Sequence, residues 1–75
     1  MKLRDKDVEN LIRWLNERRD ELKENIKESF VSLKNDLKRE NWEVSVVDCE
    51  NLIEDLVELS IVELFLEKIK DLVET

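Results

Sequence analysis

The chain of 75 residues contains no glycine, no proline and no histidine, and it has a single cysteine. Without glycine it cannot form the glycine-rich loops that bind phosphate groups, and without proline as well it lacks the residues that most favour tight turns. A single cysteine cannot build a disulfide framework. Because histidine is absent, the chain also cannot form a Cys/His zinc site or a Ser-His or Cys-His catalytic pair. We therefore predict that the protein is not an enzyme and that it has no catalytic residues, no metal site and no cofactor.

Long apolar runs are also lacking. No uncharged run approaches the ~18 residues that a membrane span requires, and charge follows Met1 at once, without an apolar signal segment. The sequence therefore predicts a cytoplasmic protein without membrane contact. Charged residues make up 44% of the chain. This is well above the roughly 25% of ordinary domains, and the high Glu and Lys content is typical of thermophilic proteins.

The length allows one small domain, residues 1–75. Such a domain buries only about 60% of the surface that its unfolded chain exposes, so its own core contributes little beyond the entropy cost of folding. We therefore expect a homo-oligomer, with a dimer as the first expectation. The charge is uneven along the chain: residues 1–42 carry 11 basic and 10 acidic groups, whereas residues 43–75 carry 2 basic and 10 acidic groups. The second segment is acidic and also richer in apolar residues.

The first segment predicts one long helix over residues 6–41. Apolar residues lie within about 60° of one line when each residue advances the helix by 100°. They are Val8, Leu11, Ile12, Leu15, Leu22, Ile26, Phe30, Leu33 and Leu37. The β-branched run that follows predicts a connector over residues 42–47, and a helical segment over residues 48–74 comes next. The predicted fold is thus all-α, an antiparallel helical hairpin that assembles as a dimeric helix bundle.

The apolar face of the second helical segment changes sides at Ser60. The apolar residues between Cys49 and Leu59 cluster on one side of the helix. The apolar residues between Ile61 and Val73 cluster on the opposite side. Either the helix breaks at residues 59–61, or one straight helix buries opposite faces against different neighbours. Both alternatives require a partner. The predicted oligomer interface comprises Leu15, Leu22, Ile26, Phe30, Ile61, Val62, Phe65, Leu66, Ile69 and Val73.

Arg19 falls on the apolar line of the first helix, where a charge is costly unless it is paired. Its stem can pack while the guanidinium reaches water, or it can form a buried ion pair. Antiparallel pairing about the predicted connector places Arg19 opposite Glu67 and Asp71. Cys49 is expected to be buried on the apolar face of its helix.

Two groups of residues are candidates for contact with another protein. Trp14 lies well off the apolar line, and Trp is a favoured anchor in interfaces. The acidic residues Glu54, Asp55 and Glu58 form a second candidate surface. Acidic pairs four residues apart, such as Glu50 with Glu54, have the spacing of metal sites in helix bundles. Those sites normally add histidine, so we interpret the acids as solvated surface.

These observations favour a small acidic module for protein–protein interaction that acts as an adaptor, scaffold or inhibitor and works as a homodimer. The alternative is a dimeric regulator that binds nucleic acid. A short strand at residues 42–47 followed by two helices is similar in element order to a ribbon-helix-helix regulator. The strand, however, carries Glu43, Ser45 and Val47, where a DNA-reading ribbon needs basic or amide side chains. We therefore expect a protein partner and no binding to nucleic acid.

Overall fold

The computed structural model describes residues 5–74 and the side chains of residues 6–72. It contains two helices, α1 (Asp5–Lys38) and α2 (Trp42–Glu74), and the described residues include no strand. The helices pack side by side as an antiparallel hairpin with extents of 54 × 14 × 14 Å. The predicted all-α hairpin is therefore confirmed.

The turn between the helices is built without glycine. Glu40 adopts the left-handed conformation with φ 57°. Its amide donates to the carbonyl of Leu37 at 3.1 Å, and the amide of Asn41 donates to the carbonyl of Asp36 at 3.0 Å. These two bonds form a Schellman motif, which satisfies carbonyls at the end of α1. Glycine usually occupies the position that Glu40 holds.

The second helix begins earlier than the sequence predicts. Residues 42–47, expected as an extended connector, form the first turns of α2. Asn41 lies at the N-cap position, because its carbonyl accepts the first helical hydrogen bond from the amide of Ser45 at 3.0 Å. The cap and the turn before it favour a helix more strongly than the β-branched side chains at 44, 46 and 47 oppose one. The strand that resembled a DNA-reading ribbon is therefore not formed.

The two helices meet along one seam. Its residues are buried or half-buried and recur at alternating intervals of three and four residues, which is the pattern of an antiparallel coiled coil. On α1 they are Val8, Ile12, Leu15, Arg19, Leu22, Ile26, Ser29, Leu33 and Asp36. On α2 they are Ser45, Asp48, Leu52, Asp55, Leu59, Val62, Leu66 and Ile69. The seam fixes the register of the hairpin.

Helix α2 continues without a break through Ser60. Of the two alternatives that the sequence left open, the structure therefore has the straight helix. The seam takes Leu52 and Leu59 from the first apolar cluster, and Val62, Leu66 and Ile69 from the second. Because a seam spaced by three and four residues is narrow, most of the remaining apolar residues of both clusters stay outside it.

The apolar core lies in only one half of the hairpin. Its buried members are Val8, Leu15, Leu22, Val62 and Ile69, with Ile12, Leu59 and Leu66 packed against them. All of them belong to the half that contains the chain ends, which we call the open end. The radius of gyration is 16.8 Å, compared with about 11 Å for a compact domain of this length.

Candidate interaction surfaces

The half of the hairpin next to the turn has a mostly polar seam. Five of its seam residues are polar and buried or half-buried: Ser29, Asp36, Ser45, Asp48 and Asp55. The other three, Ile26, Leu33 and Leu52, are apolar and half-buried. Ser45 is satisfied locally, because its hydroxyl donates to the carbonyl of Asn41 at 2.8 Å. Large apolar side chains in the same half point to solvent instead. Burial of apolar surface drives folding, so this half gains little from its own packing.

One exposed apolar surface, the turn patch, flanks the seam near the turn. Trp42, Cys49 and Leu56 recur every seven residues along α2, as do Val46 and Ile53 beside them and Phe30 and Leu37 on α1. A seven-residue interval keeps side chains on one side of a coiled-coil helix. We define the turn patch as these residues: Phe30, Leu37, Trp42, Val46, Cys49, Ile53 and Leu56.

A second exposed surface, the open-end patch, lies on the other flank of the seam. It comprises Leu11, Trp14, Ile61, Phe65 and Leu72. Trp14 leaves 59% of its surface exposed, which agrees with its position off the apolar line. Phe65 and Leu72 lie seven residues apart and therefore on the same side of α2. Leu11 and Arg18 have the same spacing on α1.

An ion pair between the helices lies on the same flank. Arg18 donates from Nη2 to Oε1 of Glu58 at 2.9 Å and from Nε to Oε2 of the same carboxylate. It also donates from Nη1 to Glu21 at 3.0 Å. The hydrogen bond from Arg18 lowers the pKa of the Glu58 carboxyl, and the bond to Glu58 in turn raises the pKa of Arg18. Two parallel bonds to one carboxylate favour a single register of the helices.

The ion pair predicted for Arg19 does not form with the expected partners. The guanidinium lies 3.6 Å from Asp20 on the same helix, and its buried Nε has no hydrogen-bond acceptor among the described residues. Glu67 and Asp71 are exposed. The predicted connector lay several residues too far along the chain, and an error at the turn shifts the opposite residue by twice as much. The correct register brings Arg18 to Glu58.

The hairpin itself accounts for most of the predicted oligomer interface. Leu15, Leu22, Val62 and Ile69 are buried in its core, and Leu66 packs against that core. Ile26 is half-buried in the seam. In contrast, Phe30, Ile61 and Phe65 each leave about half of their surface exposed and are available to another chain. The side chain of Val73 lies outside the described residues.

The acidic candidates do not share one free surface. Glu54 is exposed, Asp55 is half-buried in the seam, and Glu58 is paired with Arg18. The expectation that Cys49 is buried is wrong, since its thiol is free and exposed. The early start of α2 places Asp48 in the seam and moves Cys49 to its flank.

The described residues offer little chemistry for a ligand. They contain no group of three or more side chains that could hold a metal ion. A shallow depression on the outer face of α1, lined by Lys27, Glu28, Val31, Ser32 and Asn35, is wide open to solvent. Neither helix, over the part of the chain described, is long and apolar enough to cross a membrane. The most distinctive surfaces are therefore the two apolar patches.

The turn patch was not predicted from the sequence, because Trp42 and Val46 fall within the predicted connector. The signal is present in the sequence as the repeat Trp42, Cys49, Leu56, seven residues apart, with Val46 and Ile53 between them. That repeat becomes visible only if the helix is extended back to residue 42. In comparisons with protein-family models, curated proteins and solved structures, no family, protein or structure matches the chain.

Proposed function

We propose that the protein is a helical protein–protein interaction module that works as a homodimer and serves as an adaptor, scaffold or inhibitor. The observation that carries this proposal is the mostly polar seam of the half next to the turn, together with the large apolar side chains that are exposed outside that seam. Contiguous apolar surface of this kind marks sites of contact with other proteins.

The total surface supports the same proposal. The chain exposes 6310 Å², whereas a compact monomer of its mass exposes about 4,900 Å². The excess of about 1,400 Å² is larger than the ~800 Å² that each partner loses in a standard interface. Two patches on opposite flanks allow one to face a second copy while the other faces a different protein.

The first test is the mass in solution. Light scattering at micromolar concentrations is expected to give twice the 9.1 kDa of one chain, with dissociation on dilution. A mass of one chain at every concentration would overturn the homodimer.

The second test concerns the partner protein that is proposed to bind the open-end patch. Tagged wild-type protein is expected to retain one host protein at a fixed ratio, and Trp14→Glu in the open-end patch is expected to lose it while remaining dimeric. Val47→Glu is the control, because Val47 is exposed and lies outside both patches. Retention that is equal in wild type and both variants would contradict binding through the open-end patch.

A further inference from the structure

We propose that the turn patch is covered by the turn patch of a second copy, with the two hairpins parallel and their turns at the same end. This inference rests on the homodimer of the proposed function and specifies its interface. Each α1 then packs against α2 of the other copy, and all neighbouring helices in the resulting four-helix bundle run antiparallel.

The area of the turn patch is the first argument. Phe30, Leu37, Trp42, Val46, Ile53 and Leu56 each leave between 45% and 62% of their surface exposed. Together they offer about 600 Å² of mostly apolar surface, if a whole aromatic side chain presents roughly 200 Å². The largest patch on an ordinary monomer is about 300–600 Å². Charged side chains at the margins add further area to the patch, and a stable interface buries ~800 Å² per partner.

The position of the patch is the second argument. It covers the half of the hairpin whose seam is mostly polar, whereas the half with a mostly apolar seam carries the buried core. A second copy placed on the turn patch therefore covers apolar side chains in the half where the apolar seam residues Ile26, Leu33 and Leu52 are only half-buried. The same contact at the open end would add to a half that is already packed.

The charges at the margins of the patch are the third argument, and they determine how the two hairpins are oriented relative to each other. Lys27 and Lys34, seven residues apart, border the patch on α1, and Glu43 and Glu50, seven residues apart, border it on α2. The register set by the contacts Arg18–Glu58 and Ser32–Asp48 places Lys27 level with Glu50. It also places Lys34 level with Glu43.

A two-fold axis parallel to the helices turns α1 of one copy toward α2 of the other at the same level. Lys27 then faces Glu50 of the second copy, and Lys34 faces Glu43 of the second copy. An axis across the helices would instead place α1 opposite α1 and bring lysines together. Opposite charges across an interface fix its orientation, and like charges oppose the alternative.

The apolar contact is tested with a matched pair of variants. Ile53 and Val47 lie in the same half of α2 and are 60% and 53% exposed, but only Ile53 belongs to the turn patch. We expect Ile53→Glu to reduce the mass by light scattering to that of one chain and to keep its helical circular dichroism. Val47→Glu is expected to remain dimeric.

A dimer that survives Ile53→Glu, or that is lost equally in both variants, would overturn the turn patch as the interface. The homodimer itself would stand in that case. A wild-type protein that is monomeric throughout would overturn both.

The orientation is tested by exchanging charges. Lys27→Glu with Lys34→Glu is expected to weaken dimerisation about tenfold or more, because it replaces attraction by repulsion at both margins. Adding Glu43→Lys and Glu50→Lys in the same chain is expected to restore the wild-type dissociation constant. In the crossed orientation the lysine variants would bind as well as wild type, and that result, or a failure of the fourfold exchange to restore binding, would overturn the parallel arrangement.

Discussion

At the scale of single residues, the ion pair between the helices is made by the neighbour of the arginine that the sequence suggested. Arg19 occupies the seam, but its neighbour Arg18, on the flank, makes the bond to α2. In a coiled coil the flanking positions carry the ion pairs between helices, whereas the seam positions favour apolar side chains. Arg19 is thus a charged residue at an apolar position, with a buried Nε that lacks an acceptor among the described residues.

We expect Arg19→Leu to stabilise the fold by about 1 kcal/mol, because it removes an unsatisfied buried N–H and adds an apolar side chain to the seam. Urea denaturation followed by circular dichroism measures the change. Arg19→Ala serves as the comparison and is expected to be less stable than Arg19→Leu, since it also loses the packing of the arginine stem. A clear loss of stability in Arg19→Leu would show that the guanidinium makes favourable bonds.

Two carboxyl groups meet in the seam beside the turn. Ser32 donates from its hydroxyl to Asp48 at 3.1 Å and lies 3.5 Å from a carboxylate oxygen of Asp36. The Asp48 carboxyl raises the pKa of Asp36 above its ordinary value of 3.8, chiefly through a hydrogen bond to the protonated form. A carboxyl with a raised pKa in the folded state stabilises the fold fully below pH 3.8. That contribution is lost as the pH rises through the raised pKa.

Asp48→Asn is therefore expected to make the fold more stable than wild type at pH 7, with a smaller difference at pH 3. The measurement is the difference in urea midpoint between variant and wild type across this pH range. Glu54→Gln is the control, because it removes the same charge from an exposed position outside the seam. An equal pH dependence in both variants would mean that only the net charge matters.

At the scale of the elements, the sequence predicted α1 closely and misplaced the start of α2. The apolar line from Val8 to Leu37 specifies α1 directly, because the helix period is visible without knowledge of its partner. The turn was missed because its usual signal, a glycine after the helix, is replaced by Glu40. The polar seam positions Asp48 and Asp55 were missed for a different reason, since counting apolar residues does not detect a seam that includes carboxylates.

The turn itself provides a prediction at this scale. A residue with a β-carbon in the left-handed conformation costs roughly 1–2 kcal/mol, and glycine avoids this cost. We expect Glu40→Gly to stabilise the hairpin by about 1 kcal/mol, which corresponds to a rise in Tm of roughly 4–8 °C for a domain of this size.

Glu40→Ala separates the backbone effect from the loss of the carboxylate, since alanine keeps the β-carbon. It is expected to leave Tm close to that of wild type. A similar rise in Tm for both variants would attribute the gain to the removed charge instead of the turn conformation.

At the scale of the whole molecule, the candidate surfaces depend on which helix faces are buried between α1 and α2. The sequence identified Trp14 as a candidate contact because it lies off the apolar line of the first helix. It identified Phe65 because that residue lies on the apolar face that changes sides at Ser60. It could not separate Leu22 from Phe30, which lie on the same line. Only the register of the two helices decides that Leu22 is fully buried while Phe30 stays 57% exposed.

The charge of the whole molecule bears on the alternative function. The net charge is −7, and three of the basic residues of α1 lie close to carboxylates among the described residues. Arg18 bonds to Glu58 and Glu21, Arg19 lies near Asp20, and Lys27 lies 3.4 Å from Glu24. Binding to nucleic acid requires several basic groups that are free to neutralise phosphates, and its strength follows their number.

We therefore expect no measurable binding to duplex or single-stranded DNA or RNA at physiological ionic strength. The measurement is fluorescence anisotropy with mixed-sequence strands, at low and at physiological salt. Repulsion between a molecule of net negative charge and polyphosphate acts over about 8 Å at physiological salt and further at low salt, so lowering the salt is not expected to reveal binding. Submicromolar binding that weakens steeply with added salt would contradict this and favour the nucleic-acid regulator. In that case the joint change of Arg13 and Lys23 to alanine should abolish the binding, because neither side chain forms an ion pair with a carboxylate of the described residues.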